Sequence, residues 1–383
     1  MVQEQLIQII NCILNRRPIC DCRIEPADWQ KLIALARRHN VANLLGYAIE
    51  LAPEPSVKLQ LRDLLVRGTV ISNGQLHAAQ QLQQCFEEKG ICHMALKGIN
   101  TKQYYPQPDM RTMGDLDVLC KPEQQAQIRA AMESLGFTEF REGRKHDHYK
   151  KPPFVGVEIH RELVAADSPY SAYYADIWQR SQPKAGCVYT YEMSVTDGFV
   201  YNIVHLAEHL KEGGAGVRFI MDVYVYNRLE EVDRTCLQAE LTKLGLWELF
   251  ENTAKLADWW FAPQAPELDE KQQDLLRRFG AFILAGGVFG TKDDEEALGV
   301  QKSGRLQFLW KSCFPGYREM RSMFPWLQRW PILLPYSWGL RGVRSLKRRR
   351  ENVKSRFSAY RNADADRGRA LRELYVEIGL RDL

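Results

Sequence analysis

The sequence predicts an α+β protein in which a small mixed sheet is flanked by helices and lies between N-terminal and C-terminal helical regions. Apolar residues recur every three or four positions before residue 90 and after residue 165, which is the period of amphipathic helices. Between these regions the apolar runs are short or alternating and are separated by Gly and Pro, as is typical of strands. The length of 383 residues allows two or three hydrophobic cores.

The N-terminal region is predicted to contain three helices, over residues 3–15, 27–50 and 57–88. In each run apolar residues recur at helical spacing and no proline interrupts them. Gly90 is expected to end the third helix. The apolar stripe of that helix is expected to consist of Leu61, Leu64, Leu65, Ile71, Leu76 and Leu82.

The central region is predicted to form the sheet. Four segments have strand-like composition, namely residues 91–96, 114–120, 138–141 and 154–159. A helix is expected over residues 122–135, because Pro122 suits a first helical position and apolar residues then line one face.

The C-terminal half is predicted to be helical again, over residues 197–210, 217–229, 236–244, 247–257 and 275–284. Beyond residue 301 the chain becomes rich in Trp, Pro and Arg. We therefore expect an N-terminal helical region (1–90), a core sheet (91–165), a helical domain (166–300) and a basic, Trp-rich C-terminal region (301–383).

The composition is that of a folded, soluble protein, with 45% hydrophobic and 26% charged residues. A net charge of +4 is too small to indicate nucleic-acid binding by itself. The nine cysteines are scattered, and no CxxC pair is present, so neither a zinc knuckle nor a disulfide framework is expected. Neither a signal peptide nor a long apolar run is found, and we therefore expect a cytoplasmic protein.

Two acids are the most informative feature of the chain. Asp115 and Asp117 are two positions apart in a predicted strand, so both carboxylates are expected on the same face. Paired negative charge is unfavourable without a cation. Because the donors are oxygens and no Cys or His is adjacent, Mg2+ or Mn2+ is expected rather than zinc. As a bare tripeptide, Asp-Leu-Asp is more typical of an exposed edge strand or a loop than of a metal site.

A third acid follows in the last predicted strand, where alternation places Gly156, Glu158 and His160 on one face. If this strand lies beside the Asp115 strand, three carboxylates converge and two metal ions can serve an in-line displacement. Glu158 is then the candidate catalytic base.

A glycine turn (96–98), an Asp-x-Asp strand (114–119) and a later strand acid (157–160) follow one another along the chain. In this order of motifs the sequence resembles the polymerase-beta-type nucleotidyltransferase superfamily. More narrowly, the chain resembles a bacterial group of uncharacterised nucleotidyltransferases, with Leu-Lys-Gly at 96–98, Tyr-Pro at 105–106 and Arg-x-x-x-Asp-x-Asp at 111–117. The resemblance implies metal-dependent transfer of a nucleoside monophosphate from a nucleoside triphosphate to an acceptor hydroxyl, with release of pyrophosphate. Neither the acceptor nor the preferred base follows from the sequence.

The resemblance also implies a phosphate-binding turn, for which Gly98 and Gly114 are the matching glycines. Ile99 stands where the superfamily usually has Ser or Gly, so cationic side chains are expected to bind the phosphates instead. Lys97 and Arg111 are favoured over Lys102. The missing hydroxyl supports an alternative function, that of a catalytically inactive nucleotide-binding or scaffold protein.

Several histidines are further candidates. His146 and His148 share a face if their segment is extended, where they contact substrate or belong to an exposed hairpin. His205 and His209, with Glu208 between them, formally match a zinc-hydrolase pattern, which makes a hydrolase the rival enzyme class. Both histidines, and also His160, are alternatively candidate substrate contacts or buried structural residues.

Two charged features have simpler interpretations. Arg218 and Asp222 are four apart on a predicted helix and are expected to form an ordinary ion pair. The basic stretch 341–361, densest at Arg348 to Arg350, follows several tryptophans and is a candidate for contact with an anionic membrane surface or RNA. A solvated basic helix explains the same pattern.

Overall fold

The computed structural model describes residues 2–19, 24–143, 146–152, 155–287, 290, 314–348 and 365–381. The basic stretch beyond residue 348, including Arg349 and Arg350, lies outside the described residues, as do residues 301–313. The predicted division into four regions stays a prediction.

Three helices form the N-terminal region: α1 (Val2–Leu14), α2 (Trp29–Arg38) and α3 (Pro55–Glu88). The predicted continuous helix over 27–50 is wrong, because α2 ends at Arg38 and a 3-10 segment, Ala42–Leu51, follows it. Asn40 separates the two with a φ of 54°, a left-handed conformation that an α-helix does not accommodate.

The buried face of α3 is partly polar. Leu61 and Leu82 are buried as expected, whereas Ile71 is 39% exposed. Ser72 and Gln75 are buried instead, because they bind the loop that precedes the second strand. Ser72 Oγ accepts from Lys102 Nζ (2.9 Å), and Gln75 Nε2 donates to the Met113 carbonyl (3.1 Å).

Seven strands form one mixed sheet in the order β3-β4-β5-β2-β1-β7-β6. Their bounds are His93–Ala95 (β1), Leu116–Cys120 (β2), Glu139–Arg141 (β3), His146–Lys151 (β4), Val155–His160 (β5), Gln182–Pro183 (β6) and Thr190–Glu192 (β7). All four predicted strands are present, as β1, β2, β3 and β5. Strand β2 is central, so the alternative of an exposed edge strand is wrong.

The pairs β2–β5 and β1–β7 are parallel, and the other pairs are antiparallel. One face of the sheet carries Leu116, Val118, Val157 and Ile159, which pack with residues of α3 and of helix α5 (Gln125–Ser134). The opposite face carries the acids. On that face Met94 and Leu119 join the main core, which includes residues of both helical regions.

Between β1 and residue 287, seven more α-helices are described besides α5. Two are short, α4 (Gly98–Thr101) and α6 (Ile177–Arg180), and five form the helical half: α7 (Val195–Lys211), α8 (Val217–Tyr226), α9 (Arg234–Lys243), α10 (Trp247–Phe261) and α11 (Glu270–Gly286). These five correspond to the predicted helices. Ser194, Asp233 and Asp269 cap the first turns of α7, α9 and α11 by accepting backbone N–H bonds.

The C-terminal part contains the helices Tyr317–Met323, Leu334–Arg348 and Ala365–Glu377. The last of these docks on the helical half, where Tyr375 Oη donates to the Leu210 carbonyl at 2.7 Å. No helix among the described residues combines the length and apolar composition needed to cross a bilayer.

Candidate active site

The turn between β1 and α4 directs a lysine toward the acidic face of the sheet. Lys97 has φ 47° and ψ −123°, a conformation that L residues rarely adopt. Leu96 N donates to the Asp117 carbonyl (2.9 Å) and Asn100 Nδ2 to the Ala95 carbonyl (2.6 Å), so hydrogen bonds hold the turn. The turn places Lys97 Nζ 3.5 Å from Asp117 Oδ1. Such strain costs about 1–3 kcal/mol and is concentrated at functional sites.

Three carboxylates from neighbouring strands meet on this face. Asp117 on β2 lies directly opposite Glu158 on β5. Asp115 precedes β2, and its carboxylate occupies the space that a Cβ at Gly156 would need. The structure therefore brings together the three acids that the sequence singled out, and it explains why glycine is required at position 156.

His160 links two of these acids. Its Nε2 is 2.8 Å from Asp117 Oδ1 and 3.6 Å from Glu158 Oε2. Burial alone would lower the pKa of His160, but its contacts with Asp117 and Glu158 outweigh burial and raise this pKa. The imidazolium form is thus stabilised between the two carboxylates.

The charges of the three acids are unequally compensated. Burial raises the pKa of Asp115, and the neighbouring Glu158 and Asp117 raise it further. Burial also acts to raise the pKa of Asp117, but Lys97 and His160 outweigh it and hold this pKa well below its usual range. For Glu158, His160 and His146 likewise outweigh burial and lower the pKa. Asp115 is therefore the acid whose ionisation a bound cation would assist most.

Strand β4 adds two histidines to the acids. His148 is paired with Glu158 in the sheet, and its Nδ1 is 3.2 Å from Glu158 Oε1. His146 Nε2 is 3.3 Å from Glu158 Oε2. Burial is the main cause that lowers the pKa of His146 to about 4, so this imidazole is neutral near pH 7. The alternative is right that the segment forms a hairpin, since β4 pairs antiparallel with β3, but it is wrong about exposure, because both histidine side chains contact Glu158.

Arg111 belongs to a buried ion pair that sequence reasoning missed. Its Nε and Nη2 donate to the two carboxylate oxygens of Asp222 on α8, at 2.8 and 2.7 Å. Tyr105, from the Tyr-Pro motif, donates to the same carboxylate at 2.6 Å. The expected pairing of Asp222 with Arg218 is therefore replaced, and Arg218 donates to the Thr112 carbonyl instead. The sequence did contain a sign of this pair, because Asp222 is an acid among apolar residues of α8 and a buried acid needs a partner.

Asp222 also determines where Arg111 lies. The guanidinium Nη1 would be 3.2 Å from a Cβ at Gly98, so Arg111 is adjacent to the turn that holds Lys97. Its bonds to Asp222 and to the Thr112 carbonyl use three of the five guanidinium N–H groups. Arg111 and Lys97 together form the cationic side of the site.

Helix α7 covers the lysine. The Tyr201 ring lies 5.9 Å from Lys97 Nζ, and His205 stacks on Tyr201 with ring centroids 6.4 Å apart. His205 and His209 pack against each other, with centroids 4.5 Å apart, and both contact Phe219. The structure thus places His205 close to Lys97 within a packed aromatic cluster.

The rival zinc-hydrolase pattern lacks a complete ligand set. Within the part of the chain that the structure describes, a single group of three or more metal-ligating side chains is close enough to share an ion, and it consists of His146, Glu158 and His160. His205 and His209 do not belong to it.

An open groove of about 510 Å³ borders the histidines of β4. Its lining includes the histidines His146 and His148 and the acids Asp167 and Glu212. A substrate bound in this groove would contact the β4 histidines, which themselves contact Glu158.

The comparisons with known proteins agree with this geometry. Residues 25–262, more than half of the chain, match a family model described as "Uncharacterised nucleotidyltransferase". The fold, a mixed sheet flanked by helices, is thus that of a protein of the nucleotidyltransferase class, and the chain belongs to the uncharacterised nucleotidyltransferase family. The matched residues include the whole sheet together with α7 and α8. No curated protein and no solved structure matches the chain significantly.

Proposed function

We propose that the protein is a metal-dependent nucleotidyltransferase that moves a nucleoside monophosphate from a nucleoside triphosphate to an acceptor hydroxyl. The observation that carries this proposal is the register of the parallel pair β2–β5, which sets Asp117 opposite Glu158. Asp115, which lies over Gly156, adds the third carboxylate.

The donor set fits a divalent cation. The positive charges of Lys97 and His160 face the three carboxylates. Burial and the neighbouring acids raise the pKa of Asp115, which means that they disfavour its ionised form. Oxygen donors of this kind suit Mg2+ or Mn2+. Asp115 and Asp117 would hold one or two such ions, and Glu158 would help to bind the second; bound there, the metal would neutralise triphosphate charge and stabilise the attacking and leaving oxygens.

The side chains have separable roles in the proposed reaction. Glu158 is the proposed base that accepts the proton of the acceptor hydroxyl. The acceptor oxygen forms a bond to the α-phosphorus, the bond from that phosphorus to the β-bridging oxygen breaks, and pyrophosphate leaves. Lys97 and the N–H groups of Arg111 not used by Asp222 bind the phosphates beside Gly98. Gly114, which has no side chain, allows the phosphates to approach the backbone closely. His160, His205 and His209 are the candidate substrate contacts.

The alternative function, an inactive nucleotide-binding or scaffold protein, has one structural observation in its favour. Both proposed phosphate ligands already contact carboxylates, Lys97 with Asp117 and Arg111 with Asp222. Calorimetry with Mg2+ and each nucleoside triphosphate, combined with a pyrophosphate assay, separates the two functions. Binding without pyrophosphate release across acceptor mixtures supports the alternative.

The decisive experiment identifies the acceptor directly. The protein is incubated with labelled nucleoside triphosphates and cell extract, and mass spectrometry locates the molecule that gains a nucleotide. We expect labelling to require a divalent cation and to be lost in Asp117→Asn, because a catalytic acid is removed. Equal labelling by wild type and Asp117→Asn would contradict the proposal.

We also propose a cytoplasmic location and a membrane-contacting C-terminal surface. Trp330, Ile332 and Tyr336 are 60%, 85% and 61% exposed. Trp330 and Ile332 precede the helix Leu334–Arg348 and Tyr336 lies in its first turn, and the basic stretch of the sequence begins at Arg341 within this helix. Exposed aromatic and aliphatic residues beside clustered cations suit an anionic lipid surface better than RNA, because an aliphatic side chain does not stack on bases.

A further inference from the structure

A second set of ligating atoms lies beside the catalytic acids. His146 Nε2 is 3.3 Å from Glu158 Oε2, and His160 Nε2 is 3.6 Å from the same oxygen. One ligand atom from each of the three residues can be chosen such that all lie within 4.8 Å of one another. Two of the three donors are imidazole nitrogens, which distinguishes this set from the all-carboxylate set.

The spacing agrees with a tetrahedral ion. Metal–ligand bonds of about 2.0–2.2 Å at the tetrahedral angle separate ligand atoms by about 3.3–3.6 Å. Both measured separations from Glu158 Oε2 lie in this range. Asp117 Oδ1 is only 2.8 Å from His160 Nε2, so His160 must exchange this hydrogen bond for the ion when it binds metal.

The surroundings are those of a supported metal ligand. His148 Nδ1 is 3.2 Å from Glu158 Oε1, so one carboxylate oxygen is held while the other faces His146 and His160. Polar contacts of this kind orient the carboxylate ligands of metal sites. The rings of His146 and His160 also pack closely, with centroids 4.7 Å apart, so little movement is needed to bring their nitrogens to one ion.

We infer that His146, Glu158 and His160 bind a divalent transition-metal ion of the class that favours imidazole, such as Zn2+ or Co2+. Magnesium is a poor occupant, because it demands oxygen ligands and near-octahedral geometry. The site shares Glu158 with the proposed catalytic acids, but metal binding here does not depend on nucleotidyl transfer. Glu158 would connect the two sets of ligands.

Cobalt is the most informative probe. The full chain, freed of any affinity tag and stripped with chelator, is titrated with Co2+ while visible absorption is recorded, and Zn2+ is then added as competitor. We expect one equivalent to bind with the spectrum of a low-coordinate site and to be displaced by Zn2+ but not by millimolar Mg2+. His146→Gln, which keeps a polar side chain, is expected to weaken Co2+ binding about 100-fold or more, and His148→Ala about 10- to 100-fold.

Two controls separate this inference from the proposed activity. His77→Ala, on the exposed side of α3, is expected to leave Co2+ affinity and spectrum unchanged. Asp115→Asn is expected to lose transfer activity yet retain Co2+ binding. Circular dichroism establishes that each variant is folded, and His160→Asn is a second ligand variant should His146→Gln unfold.

The outcomes distinguish the two proposals. Unchanged Co2+ affinity in both folded ligand variants, or displacement of Co2+ by equimolar Mg2+, would overturn the histidine site and leave the proposed function intact. Tight Co2+ binding by a protein that releases no pyrophosphate with any divalent cation would overturn the proposed function and leave the metal site intact.

Discussion

Asp117 and Glu158 face each other across the parallel pair β2–β5, and one histidine nitrogen, His160 Nε2, lies 2.8 Å from the first carboxylate and 3.6 Å from the second. Two acids about 40 positions apart in the sequence therefore contact the same histidine nitrogen. The sheet register decides this relationship, because a shift of one residue would turn Glu158 to the opposite face.

Gly156→Ala should impair the site without a change of charge. The added Cβ would overlap the Asp115 carboxylate, which must then move away from Glu158. A displacement of about 1 Å can cost about 100-fold in rate, and we expect a loss of that order in nucleotidyl transfer. Steady-state pyrophosphate release measures it.

The matched control is Gly198→Ala on α7, where the added Cβ would meet only Tyr226 Oη at 3.6 Å. This variant should retain wild-type transfer activity and gain a few tenths of a kcal/mol or more from helix propensity. Equal activity in the Gly156 and Gly198 variants would show that the position of Asp115 is not important.

Asp222→Asn should be strongly destabilising. The substitution leaves the Arg111 guanidinium, whose side chain is 11% exposed, without its buried counter-charge. Removing one member of a buried pair costs about 3–5 kcal/mol, which denaturant unfolding measures. The exposed pair formed by Arg67 and Asp63 is the control, and Asp63→Asn should cost less than about 1 kcal/mol.

A double variant, Arg111→Met with Asp222→Leu, tests whether this pair serves stability or function. Apolar replacement of both partners commonly restores stability. We expect recovery of much of the lost free energy of unfolding together with weakened binding of nucleoside triphosphates. Undiminished nucleotide binding would contradict the role assigned to Arg111.

Lys102 should make stability depend on alkaline pH. Burial, assisted by the nearby Arg111, lowers the pKa of Lys102 from its ordinary value to about 8. The unfolded chain then binds more protons than the folded protein between pH 8 and about pH 10.5, so the free energy of unfolding rises with pH in this window. The contribution is complete above the unfolded pKa and is lost as pH falls through 8.

The variant Lys102→Met isolates this effect, because all other lysines are common to both proteins. Relative to the variant, wild type should gain about 2–3 kcal/mol between pH 7 and pH 10. Denaturant unfolding at both pH values provides the comparison. A difference between the two proteins that is independent of pH would show that Lys102 has an ordinary pKa.

The C-terminal surface should bind anionic vesicles. We expect the protein to sediment with phosphatidylcholine vesicles containing phosphatidylserine and not with phosphatidylcholine alone, and binding should decrease as salt rises. The double variant Trp330→Ala with Ile332→Ala should lose most of this binding. Val188→Ala, which removes an apolar residue 66% exposed elsewhere, should not. Binding of single-stranded RNA that is unaffected by the Trp330 and Ile332 substitutions would favour RNA as the partner.

Much of the site follows from strand periodicity. Alternation alone predicts that Asp115 and Asp117 share a face and that Glu158 shares one with His160, since successive side chains of a strand point to opposite sides. Leu116 and Val118, the apolar residues that alternate with the two aspartates, are buried as this pattern requires.

Other features could not be obtained in this way. Strand β4, with the sequence HDHYKK, has no apolar alternation, and it forms because β3 and β5 supply its hydrogen-bond partners. On α3, Ser72 and Gln75 are buried because they bind a loop that is distant in sequence. Secondary-structure propensity predicts neither feature, because the stabilising partners are distant in the sequence.

The sequence by itself determined most of the long helices, four of the seven strands and which of their side chains share a face, because these properties depend on residues only a few positions apart. Only the tertiary structure decided that three histidines surround Glu158 and that Arg111 pairs with Asp222, 111 positions away. Such partners are selected by strand register and helix packing over the whole chain. The free energy of those contacts depends on burial, which no local stretch of sequence specifies.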